Sequence, residues 1–119
     1  MWNAATTGEF DRWFESLHED VRVEVAAAIE VLQRVGPTLG RPLVDQLKGS
    51  KHANLKELRI RKQGMVVRIA FAFDPQQTAI LLVAGDKAGV NQRRFYKQLI
   101  RRADKLLDAH LEALSKKRK

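Results

Sequence analysis

Apolar residues repeat with three rhythms along the chain. Phe10, Trp13, Phe14 and Leu17 fall at i, i+3, i+4 and i+7, the spacing of one helical face, and Thr6-x-x-Glu9 just before them has the spacing of a capping box. Val21, Val25, Ala28, Ile29 and Leu32 repeat that rhythm after Asp20, which can cap a second helix, until Gly36-Pro37 stops it. So short a connection predicts an antiparallel helical hairpin, with Glu15, Glu19, Asp20, Glu24 and Glu30 mostly outward. Residues 38–54 hold Gly40, Pro42, Gly49 and Ser50 and lose the rhythm, so they read as a loop with one turn around 44–47.

From residue 55 the period changes to two. In 55–61, Leu58 and Ile60 alternate with Arg59 and Arg61, which gives a strand one apolar face and one face with two guanidinium groups. After a turn at Lys62-Gln63-Gly64, residues 65–73 send Val67, Ile69, Phe71 and Phe73 one way and Val66, Arg68, Ala70 and Ala72 the other. A second turn at Asp74-Pro75-Gln76-Gln77 leads into 78–84, a nearly continuous apolar run expected of a covered strand. The three strands form an antiparallel meander. Beyond the 85–89 loop, Asn91 can cap a long helix over 92–113, whose stripe is Ile100, Ala103, Leu107, Leu111 and Leu114, widened by Phe95, Leu99 and Leu106. The expected fold is α+β: an N-terminal helical hairpin, an antiparallel sheet of about three to four strands, and a C-terminal helix.

Composition narrows what such a fold can do. The 119 residues suit one domain, read as 1–115 with a mobile basic tail at 116–119. Cysteine is absent and the three histidines, His18, His52 and His110, are scattered, so neither a disulfide scaffold nor a metal site is expected; no cofactor is called for. No apolar run approaches the roughly 18 residues that span a bilayer, and the first twenty residues lack a signal peptide's apolar stretch, so a cytoplasmic protein without membrane partners is expected. The formal charge of +8 is unevenly spread. Residues 48–68 carry seven basic side chains against one acid, and 93–119 carry ten against three, whereas 1–47 are net acidic. Two basic blocks point to a polyanionic partner, because clustered Lys and Arg concentrate phosphates and bind them with counterion release.

The order of elements, with Glu57-Leu58-Arg59 opening the first main strand, Val67-Arg68-Ile69-Ala70-Phe71 in the second, Leu81-Leu82-Val83-Ala84-Gly85-Asp86-Lys87 closing the third and Phe95-Tyr96 heading the last helix, resembles the RelE/ParE superfamily of toxins, closest to its HigB-like branch. The resemblance covers roughly residues 8–112. It implies a RelE-like microbial ribonuclease fold and the toxin half of a toxin–antitoxin pair. Its RelE-like and HigB-like members are metal-independent endoribonucleases that cut messenger RNA in the ribosomal decoding site. ParE-like members instead inhibit DNA gyrase and cut nothing, and a fold does not choose between the two. The partners implied are a cognate antitoxin, expected to be a small helix-turn-helix protein, and, for a nuclease, the ribosome and its messenger. A catalytically inert basic binding module is a third reading, and the oligomeric state is open.

Cutting RNA without a metal needs a group that takes the 2′-hydroxyl proton, cations for the pentacoordinate phosphate and an acid for the leaving 5′-oxygen. Guanidinium suits the second role, since its planar fork meets two phosphate oxygens and stays charged. Arg59, Arg61 and Arg68 can converge on one face, and Arg59 and Arg68 stand where the RelE-like pattern places basic strand residues. Glu57, the one acid in the block, stands where some members carry a second basic residue, a departure that argues against a lysine base there. For proton transfer the candidates are Tyr96, Lys87 and His52, with Asp86 either orienting a cation or satisfying turn amides; a nearby arginine pair can lower the Tyr96 pKa. The ordinary alternatives are a helix-boundary role for Tyr96, a solvated turn for Lys87, an exposed loop for His52, and boundary or capping roles for His18 and His110. Lys48, Lys51, Lys56, Lys62, Arg93, Arg94 and Lys97 flank the face as phosphate-positioning groups. With few aromatics near them, structured RNA is the expected dock.

Overall fold

The computed structural model describes residues 1–117. Its elements run β1 (Ala4–Thr6), α1 (Gly8–Glu15), α2 (Glu19–Val35), a 3₁₀ turn (Gly36–Thr38), β2 (Val44–Gln46), β3 (Lys56–Lys62), β4 (Met65–Phe73), β5 (Ala79–Asp86) and α3 (Gln92–Lys117). The strands make one sheet in the order β1-β5-β4-β3-β2, in which β1 runs parallel to β5 and every other pair is antiparallel. The α+β class and the central meander are as expected, but the sheet has five strands, not three to four. Both additional strands are three-residue edges, too short to show a period of two. One of them, β2, occupies the segment read as a turn within a loop.

Alternation divides the core into two layers. Leu58, Ile60, Val67, Ile69 and Phe71 face α1 and α2, where Phe10, Val21, Val25, Ala28 and Leu32 complete one cluster. Leu55, Ala70, Ala72, Ile80 and Leu82 face α3, meeting Leu99, Ala103 and Leu107. The sheet is therefore covered on both sides, which explains why β4 and β5 are apolar along most of their length.

Helix ends depart from expectation by one or two residues. Thr6 belongs to β1, and Thr7 caps α1 by accepting from the Phe10 amide at 3.0 Å. The cap of α2 is His18, whose Nδ1 accepts from the Asp20 amide at 3.3 Å; Asp20 is the donor, not the cap. At its far end α3 continues past residue 113, so Lys116 and Lys117, expected in the tail, form its last turn, where positive charge suits the helix dipole. The other two tail residues lie outside the described residues. His110 holds the buried Asp74 at 2.9 Å, and Asp74 also accepts the Gln76 and Thr78 amides, so the β4–β5 turn is tied to α3. Among the described residues no helix is long and apolar enough to cross a membrane.

Gly36 ends α2 at φ +82° and ψ −153°, a region that residues with a side chain avoid. The space its Cβ would need is filled by the Trp2 indole. Trp2 in turn donates its amide to the Gln33 carbonyl at 2.8 Å and packs edge-on against Phe73, which anchors the strand-forming N-terminus. Gly36→Ala is expected to cost about 2–3 kcal/mol through backbone strain and displacement of Trp2. A urea midpoint unchanged from wild type would show that this junction is not rigid.

Candidate active site

Residues opposite one another in an antiparallel pair share a face, so the sheet register places the site. On the face towards α3, Arg59 pairs with Arg68, and Arg68 with Gly85. One row closer to the β3–β4 turn, Arg61 pairs with Val66, whose carbonyl accepts the Lys87 amide at 2.9 Å. One row further from it, Glu57 pairs with Ala70 and Ala70 with Val83. Arg68 is thus central, with Arg59 beside it, Arg61 and Lys87 in the row on one side and Glu57 in the row on the other. Gly85 lets the head of α3 close over this point, since a Cβ there would lie 2.9 Å from the Phe95 ring.

The expected three-arginine face is present, but its arginines are not equivalent. Arg61 is exposed and Arg59 half-buried, whereas Arg68 is 1% exposed and lies against Glu57, itself 5% exposed. Arg68 Nε donates to the Tyr96 hydroxyl at 3.1 Å and stands 3.4 Å from Glu57 Oε1, while Nη1 donates to its neighbour's carbonyl, that of Val67, at 3.0 Å. Tyr96 completes the triangle by donating to Glu57 Oε1 at 2.7 Å. Together with Arg41, Pro42, Leu43 and Ile60, the three arginines line an open pocket of about 450 Å³. Arg41 forks onto Asp45 through Nε and Nη2 at 3.1 and 2.7 Å, and Arg59 approaches the same carboxylate at 3.6 Å. The Arg41 hydrogen bond, helped by the Gln46 amide, holds the Asp45 carboxyl below its usual range.

Lys87 is the second polar feature. Its Nζ lies 5.5 Å from the centre of the Tyr96 ring and donates to Gln92 Oε1 at 3.1 Å. Burial, and then the Arg68 charge, lower its pKa; Arg59 and Arg61 act in the same direction and Glu57 opposes them. For Tyr96 the expected lowering by arginines is reversed. Burial first, then the hydrogen bond to Glu57, push the phenol up, and Arg68 offsets only part of this. Asp86 takes the turn role, its Oδ1 accepting the Val66 and Ala88 amides at 2.9 Å each.

Several expected site residues lie elsewhere. His52 Nε2 bonds Asp108 Oδ1 at 2.8 Å, and Lys51 pairs with the same carboxylate. Asp108 is twelve residues along α3 from Tyr96, about 18 Å at 1.5 Å per residue, so the loop carrying Lys51 and His52 is fastened to α3 away from the arginines. Lys56 and Lys62 share the parity of Leu58 and Ile60 and so belong to the opposite face, where Lys56 donates to the Pro37 carbonyl at 2.9 Å. Lys48 is exposed before that loop. Arg93, Arg94 and Lys97 do form a basic surface, joined by Arg101 along an open groove of about 440 Å³ on the first turns of α3. Among the described residues none of the four is in an ion pair. Sequence reasoning missed Arg41, which sits in the net-acidic segment outside any periodic element. It also missed that Glu57 is the partner of Arg68; a lone acid on an arginine face was the available signal.

Residues 12–108 match the family described as phage derived protein Gp49-like. The chain is 49% identical over 100 residues to the candidate toxin HigB2 of Mycobacterium tuberculosis, covering 83% of this chain and 49% of that protein. It is 49% identical over 96 residues to the candidate toxin HigB3 of the same organism, covering 81% and 82% respectively. The chain therefore spans about half the length of the first relative and most of the second. Among solved structures, the isolated E. coli toxin RelE superposes with a TM-score of 0.59 at 12% identity, covering 86% of this chain and 98% of that one. The RelBE2 toxin–antitoxin complex of M. tuberculosis gives 0.53 at 17% identity, covering 71% and 96%. Identities this low speak for the fold alone.

Proposed function

Because the chain belongs to the Gp49-like family, within the RelE superfamily of toxins from toxin–antitoxin systems, we propose that it is a messenger-RNA endonuclease acting on the ribosome and that the arginine pocket is its active site. The observation that carries this reading is the convergence of Arg59, Arg61 and Arg68 on one pocket beside a lysine of lowered pKa. Phosphate is the ligand such a pocket suits, since its oxygens accept several guanidinium forks at once. The solved RelBE2 assembly pairs that toxin with its antitoxin, and a cognate antitoxin is the partner we assign to this chain. The basic groove on α3 suits the phosphate backbone of structured RNA, which would hold the protein while the ribosome presents the messenger.

In the reaction, the neutral amine of Lys87 accepts the 2′-hydroxyl proton as the 2′-oxygen attacks phosphorus. The arginines meet the charge that gathers on the non-bridging oxygens. The P–O5′ bond breaks, the 5′-oxygen takes a proton from water, and a 2′,3′-cyclic phosphate is left. Since the uncharged lysine is the active form, cleavage should rise with pH through a midpoint below the roughly 10.4 of an ordinary lysine. Lys87→Met should lose about 10²- to 10⁴-fold in single-turnover rate and flatten that rise. Primer extension on a defined messenger in a reconstituted translation system tests the whole reading. In-frame cuts that need both ribosomes and Lys87 are expected. Intact messenger combined with inhibited gyrase supercoiling would replace it with the ParE-like reading.

A further inference from the structure

The triangle of Glu57, Tyr96 and Arg68 has a chemical consequence for a site that binds phosphate. A proton carrier must turn its proton, or its lone pair, towards the substrate. In the free protein the Tyr96 hydroxyl has its proton committed to Glu57 at 2.7 Å, and its oxygen accepts the Arg68 Nε–H at 3.1 Å, so both functions are engaged within the protein. Arg68 is held at two of its nitrogens, Nε by the Tyr96 hydroxyl and Nη1 by the Val67 carbonyl, which restrains its guanidinium plane. Among the described residues the Arg68 hydrogen bonds are made by Nε and Nη1, which leaves Nη2 for a ligand, and Arg68 is among the residues that line the pocket.

Resting on the nuclease reading for its catalytic part, we propose that Glu57 is a positioning residue that aims Arg68 at the scissile phosphate through Tyr96, and that Tyr96 is a strut in that linkage and carries no proton. A buried carboxylate serves this purpose well. It anchors the Nε edge of the arginine directly and through Tyr96, and it keeps the guanidinium in place before RNA arrives. It also sits within the field that sets Lys87. The charged groups acting on that ammonium are Arg59, Arg61 and Glu57 from β3 and Arg68 from β4, with the Tyr96 ring and Gln92 from α3 against it and Asp86 preceding it in the chain. Glu57 favours the charged lysine, against the three arginines.

Two variants and two readouts test the assignment. With Glu57→Gln the single-turnover rate should fall about 10- to 100-fold without a rise in KM. The midpoint of the pH–rate rise should move to lower pH, because the carboxylate that favoured the lysine charge is gone. With Tyr96→Phe the loss should stay within about tenfold and the pH profile should not move. A 10³-fold loss in Tyr96→Phe, or disappearance of the pH-dependent limb in either variant, would make that residue a proton carrier and overturn the proposal. So would a Glu57→Gln enzyme with wild-type rate and profile. The second readout needs no activity: ¹⁵N NMR of the Arg68 Nε–H in the free protein. Slow exchange in wild type and loss of protection in Glu57→Gln, with the backbone spectrum retained, is expected; retained protection overturns the linkage. If Glu57→Gln fails to fold, Tyr96→Phe carries the same measurement. A wild-type protein that cuts nothing yet shows this NMR behaviour sinks the nuclease reading and leaves the linkage standing.

Discussion

Arg68→Ala is expected to lose about 3–5 kcal/mol of folding free energy, a large part of the roughly 5–15 kcal/mol that holds a domain of this size together. The reason is Glu57. With Arg68 present the buried carboxylate is hydrogen-bonded and neutralised, but without it the charge stays buried beside Ala70, with the Tyr96 hydroxyl as its remaining side-chain hydrogen bond and Lys87 acting on it without direct contact. Breaking one member of a buried pair costs more than the pair contributes, because the remaining ion has lost its water and gained nothing. Urea denaturation of Arg68→Ala and of the double variant Glu57→Gln, Arg68→Met measures this. The double variant should recover much of the loss, since it removes the orphan charge as well as its partner. A single variant as stable as wild type would mean that Glu57 reaches solvent once Arg68 is gone. Loss of activity in Arg68→Ala would therefore mix folding with chemistry, and the proposed phosphate recognition is better probed at the half-buried Arg59 and the exposed Arg61.

What the sequence made legible follows from the length of each signal. The helix α2, the strands β3, β4 and β5 and the helix α3 each carry enough positions for a period to show, and their faces are as the pattern predicts. The edges β1 and β2 are three residues each and owe their conformation to the strands beside them, which no local pattern records. The shared face of Arg59, Arg61 and Arg68 was readable from parity and register. The same parity puts Lys56 and Lys62 on the other face, with Leu58 and Ile60, although they are near the arginines in sequence. His52 failed for a related reason, since a loop next to a strand in sequence can be pulled elsewhere, here by Asp108 on α3.

Burial was the part that alternation could not supply. A period of two says which side a residue faces but not what covers that side. On the arginine face Arg61 is open to solvent, while Arg68 and Glu57 are buried beneath α3, whose head is admitted by Gly85. That covering changes the roles of three residues together. It turns Glu57 from a departure in a basic face into the partner of Arg68, raises Tyr96 where exposure to arginines alone would lower it, and depresses Lys87. A helix closing over a charged strand thus replaces a solvated surface by buried, hydrogen-bonded charges beside a lysine of lowered pKa.

The double variant Arg59→Ala, Arg61→Ala is expected to fold like wild type and lose catalysis. Arg61 is exposed, and Arg59 is a partly exposed side chain whose one acidic neighbour, Asp45, keeps the Arg41 fork. Stability should therefore change by no more than about 1 kcal/mol, the range of surface substitutions and exposed ion pairs. Removing a donor aimed at transition-state charge typically costs about 10²- to 10³-fold in rate. Two donors sharing one phosphate act as a unit, so the pair should lose about 10³-fold, less than the roughly 10⁴- to 10⁶-fold product of two independent losses. Single-turnover cleavage on messenger-programmed ribosomes measures the rate, and the salt dependence of ribosome binding separates recognition from chemistry. The salt slope should become shallower by no more than about two, while binding through the α3 groove persists. Arg59→Lys, Arg61→Lys should recover binding more than rate, because a lysine restores the charge but not the planar fork that meets two oxygens together. A double-alanine protein that binds ribosomes and cuts at the wild-type rate would remove these arginines from the reaction and leave the pocket as surface charge.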